Sequence, residues 1–199
     1  MQETILWLDK RLPGRLTTLV GPKAASLCRL RGLGAEVPPC FFVTMMAFRE
    51  HLRSGDLRSQ IAACLDAKPD HLRTTLEQIR KLIVGTPLAD HVREQVTRAH
   101  QRLGAGTVAV RSSATAEDLP GHSFAGQYET ILGVTSLQGC LDAVKKCWAS
   151  LWTERAYEYR RRNGIEHEQV EMAVIVQEQI EPEAAGVVFT LDPVTGSPS

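Results

Sequence analysis

The sequence lacks several features that would mark a membrane protein, a secreted protein or a nucleic-acid-binding protein. It has no net charge, because 23 lysines and arginines balance 23 aspartates and glutamates. A neutral chain has no surface-wide attraction to nucleic acid or to a lipid membrane. No uninterrupted apolar stretch is long enough to cross a bilayer, and the N-terminal MQETILWLDK lacks the basic and apolar regions of a secretory signal. We therefore expect a soluble, cytoplasmic protein that contacts neither nucleic acid nor membrane.

The cysteines also lack the spacing of a redox or zinc site, since the five in the chain include no C-x-x-C pair. An odd number without a secretory segment argues for reduced thiols. Cys140 and Cys147 can share one helical face, but a metal would need further ligands close by. We predict buried free thiols and no metal site.

The composition is that of an ordinary globular protein, with 43% hydrophobic and 23% charged residues, and 199 residues are enough to bury a core. Between about 56 and 103, apolar residues recur at spacings of three and four, which predicts two or three amphipathic helices in a helical subregion. Breaks are expected near Pro69 and Pro87, with Asp70 and Thr86 as candidate N-caps. We expect His71 and His91 of this region, and His51 just before it, to lie at the surface.

Short β-branched and apolar runs predict the strands of an α+β fold with a mostly antiparallel sheet. The predicted strands are Val108–Val110, Tyr128–Val134, Met172–Gln177 and Gly186–Thr190, with further strands near Glu3–Leu8 and Cys40–Val43. Thr44 is predicted to cap a helix that begins at Met45. Ser136 is predicted to cap one that begins at Leu137 and can continue to Arg162 before Asn163-Gly164.

The stretch from Val108 to Val134, VAVRSSATAEDLPGHSFAGQYETILGV, organises the chain. An apolar strand delivers Arg111 and then Ser112 and Ser113 into a loop of small and polar residues. Backbone N–H groups in such a loop bind phosphate oxygens, and a guanidinium adds paired charge-assisted hydrogen bonds. The alternative is an ordinary long surface hairpin with an arginine at its base, and these residues alone do not decide between the two.

A second candidate anion site lies where Gly21 and Pro22 precede the helix start at Lys23 and Ala24. Proline is favoured in the first helical turn. A lysine among the free N–H groups there opposes the helix dipole, and a bound anion would offset that cost. The alternative is a solvated surface lysine. Further along, the strand Met172–Gln177 becomes polar at its end, where a backbone can read the edge of a base between apolar walls.

Several motifs resemble one protein family. VRSSATAEDLP followed by SFAGQ-x-ET is similar to the phosphate-covering loop in the nucleotide-binding domain of phosphoenolpyruvate synthase, pyruvate phosphate dikinase and rifampicin phosphotransferase. V-G-x-K-x-x-S-L, C-W-A-S-L-W-T-E-R and D-P-x-T resemble the same family, so the likeness covers nearly the whole chain. It implies an ATP-grasp-type fold. Pro22 and Cys40 stand where glycine is expected, and proline removes one backbone donor.

The resemblance also implies roles for individual residues. Lys23 and Arg111 would contact the ATP phosphates and act in catalysis. Gly126 would let the backbone approach the phosphates, and Thr130 would form a hydrogen bond with the nucleotide. The adenine would be framed by Gln177, Glu178, Gln179 and Ile180. Glu117 and Asp118 are better interpreted as a solvated loop tip than as magnesium ligands.

The reaction that the resemblance implies is a double displacement, in which ATP phosphorylates a histidine that passes the phosphoryl group to pyruvate. The implied cofactors are ATP and Mg²⁺, and the implied partner is a phosphohistidine domain of the same or a partner chain. Acidic magnesium ligands are expected downstream of the D-P-x-T turn, and no Thr-x-His occurs among the six histidines. We therefore expect the N-terminal part of a larger ATP-dependent phosphotransferase. The alternatives are an enzyme like rifampicin phosphotransferase and a non-catalytic nucleotide-binding or scaffold fragment.

We predict that the 199-residue chain alone binds ATP in the millimolar range or more weakly. Each charge-assisted contact that the chain lacks removes about 1.5–3 kcal/mol of binding free energy. The binding free energy that remains is roughly −4 kcal/mol at best. Calorimetry with ATP and Mg²⁺ measures this affinity. Micromolar binding would show that the site needs no further residues.

Overall fold

The computed structural model describes residues 3–8, 14–66, 72–115, 128–186, 188 and 197. Within these ranges the order of elements is β1 (Ile5–Trp7), α1 (Gly14–Gly32), β2 (Cys40–Val43), α2 (Met45–Arg53), α3 (Leu57–Asp66), α4 (Leu72–Gly85), α5 (Asp90–Leu103), β3 (Val108–Ala114), β4 (Thr130–Val134), α6 (Leu137–Ala149), α7 (Glu154–Arg162) and β5 (Met172–Glu178). None of the helices in the described part is long and apolar enough to cross a membrane.

The described strands form one five-stranded sheet in the order β1-β2-β5-β3-β4, and every neighbouring pair is antiparallel. This confirms the predicted α+β class. Strand β3 is longer than predicted, because it pairs with β5 from Val108 to Ala114. Arg111 therefore lies inside the strand and not at its end, which corrects the prediction for β3. The predicted strand Gly186–Thr190 falls largely outside the described residues.

The sheet has two covered faces, because successive residues of a strand point to opposite sides. On one face, Phe42 and Ile175 pack in a cluster with Val20 and Ala24 of α1. The other face carries Phe41, Val110 and Val176, which share a larger cluster with residues of helices α2 to α6. The helices within 57–103 bury side chains in that same cluster, and their existence as a separate subregion stays a prediction.

Helix α1 is interrupted at Gly21, whose backbone angles are φ 75° and ψ 171°. That conformation is essentially restricted to glycine. A new helical segment follows Gly21, close to the helix start predicted at Lys23 and Ala24. A methyl group at Gly21 would lie 2.5 Å from the carbonyl oxygen of Ser113, so the helix approaches β3 by direct backbone contact.

Two of the four predicted N-caps differ in the structure. Thr44 precedes α2 as predicted, but its hydroxyl donates to the carbonyl oxygen of Glu3 and does not cap the helix. The Thr86 hydroxyl donates to the carbonyl oxygen of Leu82 near the end of α4, and α5 begins only at Asp90. Both hydroxyls find a nearby carbonyl acceptor, which competes with capping. Asp70 lies outside the described residues.

The helices around Ser136 agree more closely with the sequence. The Ser136 hydroxyl accepts the Gly139 N–H at 3.1 Å and caps α6. The predicted continuous helix to Arg162 is wrong, since a 3₁₀ turn at Ser150–Trp152 separates α6 from α7. Thr153 then caps α7, because its hydroxyl accepts the Ala156 N–H.

His51 is buried, and the prediction of a surface histidine was wrong for this residue. Its Nε2 donates to the carbonyl oxygen of Ile83 at 2.9 Å, and its ring lies 5.0 Å from that of Trp148. His51 lies three residues after the buried Phe48 on α2, so helical spacing alone places its side chain on the buried face of the helix. His91 is exposed and pairs with Glu50, whereas His71 lies outside the described residues.

The Gly21→Ala variant should lose at least about 2 kcal/mol of unfolding free energy, because alanine disfavours this backbone conformation and its methyl group would clash with Ser113. Urea unfolding measures the loss. The matched control is Gly85→Ala, where no atom lies within 4 Å of the new methyl group. Equal stability of the two variants would contradict the close contact.

The protein should lose stability as the pH falls from about 7 to about 5. Burial lowers the pKa of His51, and burial together with Arg160 lowers the pKa of His167 to about 4. The His167 ring stays neutral in the folded protein over this range, and the His51 ring binds a proton less readily there than in the unfolded chain. Unfolded histidines take up protons as the pH falls through about 6.5, so acid favours unfolding. Urea unfolding at several pH values measures the slope.

The His51→Gln variant should show a shallower pH dependence of the unfolding free energy, since glutamine retains a donor for the Ile83 carbonyl but does not titrate. The control His100→Gln removes a histidine that is only partly buried. A slope that His51→Gln leaves unchanged would rule out His51 as a source of the effect.

Candidate functional site

A row of paired residues crosses the sheet and ends in two polar side chains. The strand register places Leu6, Phe42, Ile175, Arg111 and Thr130 next to one another. Directly paired residues point to the same face, so all five lie on the face that carries α1. The helix covers the apolar part of the row. The half-buried Arg111 and the exposed Thr130 lie beyond it.

Lys23 and Arg111 line one pocket of about 260 Å³, together with Ser26, Leu27 and Ile175. The structure thus brings together two cations that are 88 positions apart in the sequence, from 23 to 111. None of the described residues that line this pocket is an acid or a histidine. The pocket is therefore a local concentration of positive charge on a protein without net charge.

A second cleft of about 680 Å³ is larger and lies on the side of α4 and α6. It mixes acidic and basic side chains, and its described lining includes none of the predicted site residues. Its charged lining residues are Glu77, Arg80, Lys81, Glu129 and Lys146. Size alone does not make a site, and convergent charge of one sign favours the smaller pocket.

The helix start at Lys23 is held against strand β3. The Ala24 N–H donates to the Ser113 hydroxyl at 3.4 Å, and Gly21 lies against the Ser113 carbonyl group. Ser113 lies two residues after Arg111 on β3, so both side chains point to the α1 face. The N-terminus of this helical segment therefore lies close to Arg111 and adds the positive end of its dipole. Sequence reasoning assigned no such contact to Ser113, because only the strand register reveals it.

Gln177 contacts Arg111 directly. The Arg111 Nη1 donates to the Gln177 Oε1 at 3.0 Å, and the Gln177 Nε2 donates to the carbonyl oxygen of Pro38 at 3.2 Å. The Gln177 side chain is buried, with 6% of its surface exposed. The predicted contact of Gln177 with adenine stays a prediction. The observed contacts connect β5, β3 and the segment before β2.

The other residues predicted to frame adenine continue from the end of β5. The Glu178 N–H donates to the carbonyl oxygen of Pro39, and the Gln179 N–H donates to that of Thr107. The Gln179 side chain accepts the Gly133 N–H at 2.7 Å, whereas Ile180 is 66% exposed. The structure therefore fixes the backbone at 178 and 179 and leaves an apolar side chain at 180 open. Gly126, Glu117 and Asp118 lie outside the described residues.

Cys28 and Cys40 belong to the apolar cluster on the α1 face, and both are buried. Burial raises the pKa of Cys40 to about 12, although Arg31 and Arg111 oppose the shift, so this thiol stays protonated at neutral pH. All five cysteines are free, and four of them are buried, which agrees with the prediction. In the described ranges, no group of three or more histidines, cysteines, aspartates or glutamates is placed to hold a metal ion. The described pocket can thus bind and neutralise an anion.

Residues 17–199 match the model of a family described as the AMP/ATP-binding domain of pyruvate phosphate dikinase. The match includes the pocket residues on α1, β3 and β5.

Curated relatives include two kinds of enzyme. The chain is 45% identical to a rifampicin phosphotransferase of a Streptomyces species over an alignment of 183 residues that covers 89% of this chain and 21% of that protein. It is 41% identical to the phosphoenolpyruvate synthase of Aeropyrum pernix over an alignment of 203 residues that covers 96% of this chain and 25% of that protein. A probable phosphoenolpyruvate synthase of Methanocaldococcus jannaschii is 38% identical, over 96% of this chain and 17% of that protein. The chain thus spans at most a quarter of the length of these relatives.

Proposed function

Since the chain belongs to the family of pyruvate phosphate dikinase AMP/ATP-binding domains, we propose that the pocket between Lys23 and Arg111 binds the phosphates of ATP. The observation that carries this proposal is the convergence of the two cations beside a helix N-terminus. Phosphate groups favour such places because cationic side chains and the helix dipole act together on them.

The two cations have different roles in this proposal. Arg111 offers a planar guanidinium that can bind two phosphate oxygens at once, whereas Lys23 acts as a compact point charge. Both would neutralise negative charge that develops on oxygens during phosphoryl transfer, which is the main contribution a protein makes to that reaction. Thr130, paired with Arg111 across the sheet, would add a hydroxyl, and Gly126 would allow close backbone approach.

The adenine would lie at the end of β5, where Gln177 and Glu178 end the strand and Gln179 and Ile180 follow it. The exposed Ile180 offers an apolar surface, and Glu178 and Gln179 keep the backbone fixed through their bonds to Pro39 and Thr107. A rigid backbone beside an apolar side chain suits a planar base.

The reaction that we propose for the whole protein is phosphoryl transfer with paired acceptors. ATP would give up two phosphoryl groups and leave AMP. One would pass to a histidine on a domain of the same or a partner chain and from there to pyruvate, and the other would pass to water, which yields inorganic phosphate. The similarity to phosphoenolpyruvate synthases supports pyruvate as the acceptor. The 45% identity to a rifampicin phosphotransferase supports a rifamycin as the alternative.

Magnesium is implied by the family, but the described residues do not fit a magnesium site. Among the described residues, the pocket has no acidic lining residue, and Glu171, a carboxylate immediately before β5, is already paired with Arg49. We therefore derive no step through the metal from the described residues.

Replacing Arg111 should weaken ATP binding to this chain more than replacing Lys23, because Arg111→Ala removes a paired contact and Lys23→Ala removes a point charge. We expect roughly a tenfold loss for Arg111→Ala and a smaller one for Lys23→Ala. The loss of affinity in Arg111→Lys, which keeps the charge, should be smaller than that in Arg111→Ala and larger than that in Lys23→Ala. Two-dimensional NMR titration with ATP measures affinities in the millimolar range.

The control is Arg98→Ala, which removes the same charge from an exposed pair with Glu94 on α5. If Arg98→Ala and Arg111→Ala lost equal affinity for ATP, the effect of Arg111→Ala would be explained by the change in net charge alone. An absence of saturable ATP binding to the unaltered chain would contradict the proposed function.

A further inference from the structure

We propose that Gln177 is a positioning residue that holds the Arg111 guanidinium at the pocket without neutralising its charge; this inference rests on the proposed ATP site. Arginine has many rotamers, and a phosphate-binding arginine is most effective when its guanidinium is already oriented. The contact between the Arg111 Nη1 and the Gln177 Oε1, at 3.0 Å, supplies that orientation.

The orientation of the Gln177 amide follows from its second contact. A backbone carbonyl can only accept, so the group 3.2 Å from the Pro38 oxygen must be the amide nitrogen. The amide oxygen is then left to face Arg111. Pro38 is followed by Pro39, and proline fixes its own backbone angle φ, so the acceptor itself is restrained. This gives the Val37-Pro38-Pro39 segment a role in the site.

Burial makes this arrangement rigid. Gln177 is 6% exposed, so water competes little for either of its hydrogen bonds. The strand register places Gln177 opposite Ala109, two residues from Arg111 on β3, within reach of a long side chain. The other neighbour of Arg111 on this side, Ile175, is apolar and cannot orient a guanidinium.

The chemical nature of the partner also matters. A glutamate at 177 could accept from Arg111, but it has no N–H to donate to the Pro38 carbonyl, and its charge would cancel the charge that the phosphate needs. In the part of the chain that the structure describes, no ion pair joins a carboxylate to Arg111, and the acidic neighbour Glu178 is exposed. A neutral amide separates orientation from charge neutralisation. The glutamine therefore leaves the cation available to the ligand.

The test compares Gln177→Met with Gln177→Glu in the 199-residue chain. The probes are ATP and inorganic tripolyphosphate, which lacks adenine. Gln177→Met should bind both probes roughly tenfold more weakly, and adding it to Arg111→Met should cause no further loss. Gln177→Glu should weaken both probes at least as much. The control is Gln95→Met, which removes a glutamine whose Oε1 accepts from Thr4 at the side of α5.

A second readout needs no ligand. Nitrogen-detected NMR of the Arg111 side chain reports how freely its guanidinium rotates. We expect faster rotation in Gln177→Met and restrained rotation in Gln177→Glu. The rotation of the guanidinium thus distinguishes a loss of orientation from a cancellation of charge. If Gln177→Met does not fold, Gln177→Glu alone tests the proposal.

Three results would overturn the proposal: unchanged rotation of Arg111 in Gln177→Met, additive losses with Arg111→Met, or weaker binding of ATP with unchanged binding of tripolyphosphate. The last result would assign Gln177 to adenine. If the unaltered chain binds neither probe, the proposed function fails, and the rotation of Arg111 alone then decides whether Gln177 positions it.

Discussion

The pairing of β3 with β5 is the constraint on which the candidate site depends. From Val108 opposite Glu178 to Ala114 opposite Met172, the register decides which side chains face α1 and which face the larger core. A slip of one residue would move Arg111 into the apolar cluster and bring Val110 to the pocket. Buried alternating residues on both faces make such a slip costly, because Val110 and Val176 fill one core and Ile175 the other. Packing on both faces thus fixes the position of a charge.

The second constraint is the contact between α1 and β3 at Gly21. In a continuous helix, the backbone N–H groups at this point would form hydrogen bonds within the helix. The break at Gly21 instead creates a new N-terminus in the middle of the segment, where the first N–H groups have no partner within the helix. The absence of a side chain lets that N-terminus lie on Ser113. Lys23 therefore reaches the pocket because the helix restarts beside the strand that carries Arg111. Proline at 22 costs no hydrogen bond there, since the first N–H groups of a helix have no partner within the helix.

Local patterns in the sequence predicted most elements but few of the contacts between them. The apolar and β-branched runs at 108–110 and 172–177 predicted β3 and β5, and Ser136 predicted the start of α6. The spacing of apolar residues could not show that β3 continues through Ser112 and Ser113, because small polar residues are also typical of loops. Only the pairing with a neighbouring strand, which satisfies their backbone N–H and C=O groups, shows that they belong to β3. It also missed the interruption of the helix at Ser150–Trp152. The motifs selected Lys23, Arg111 and Gln177, but only the register places Gln177 against Arg111.

The site combines positive charge with a neutral protein, and this combination has a physical reason. A chain with a large net positive charge would attract many anions without choosing among them. Here the cations act over short distances, because salt screens charges across about 8 Å at physiological ionic strength. Selectivity then depends on orientation more than on the amount of charge. An amide that is held by the Pro38 carbonyl provides orientation and adds no charge of its own. The same strand pairing that builds the core thus also sets the direction of the Arg111 guanidinium.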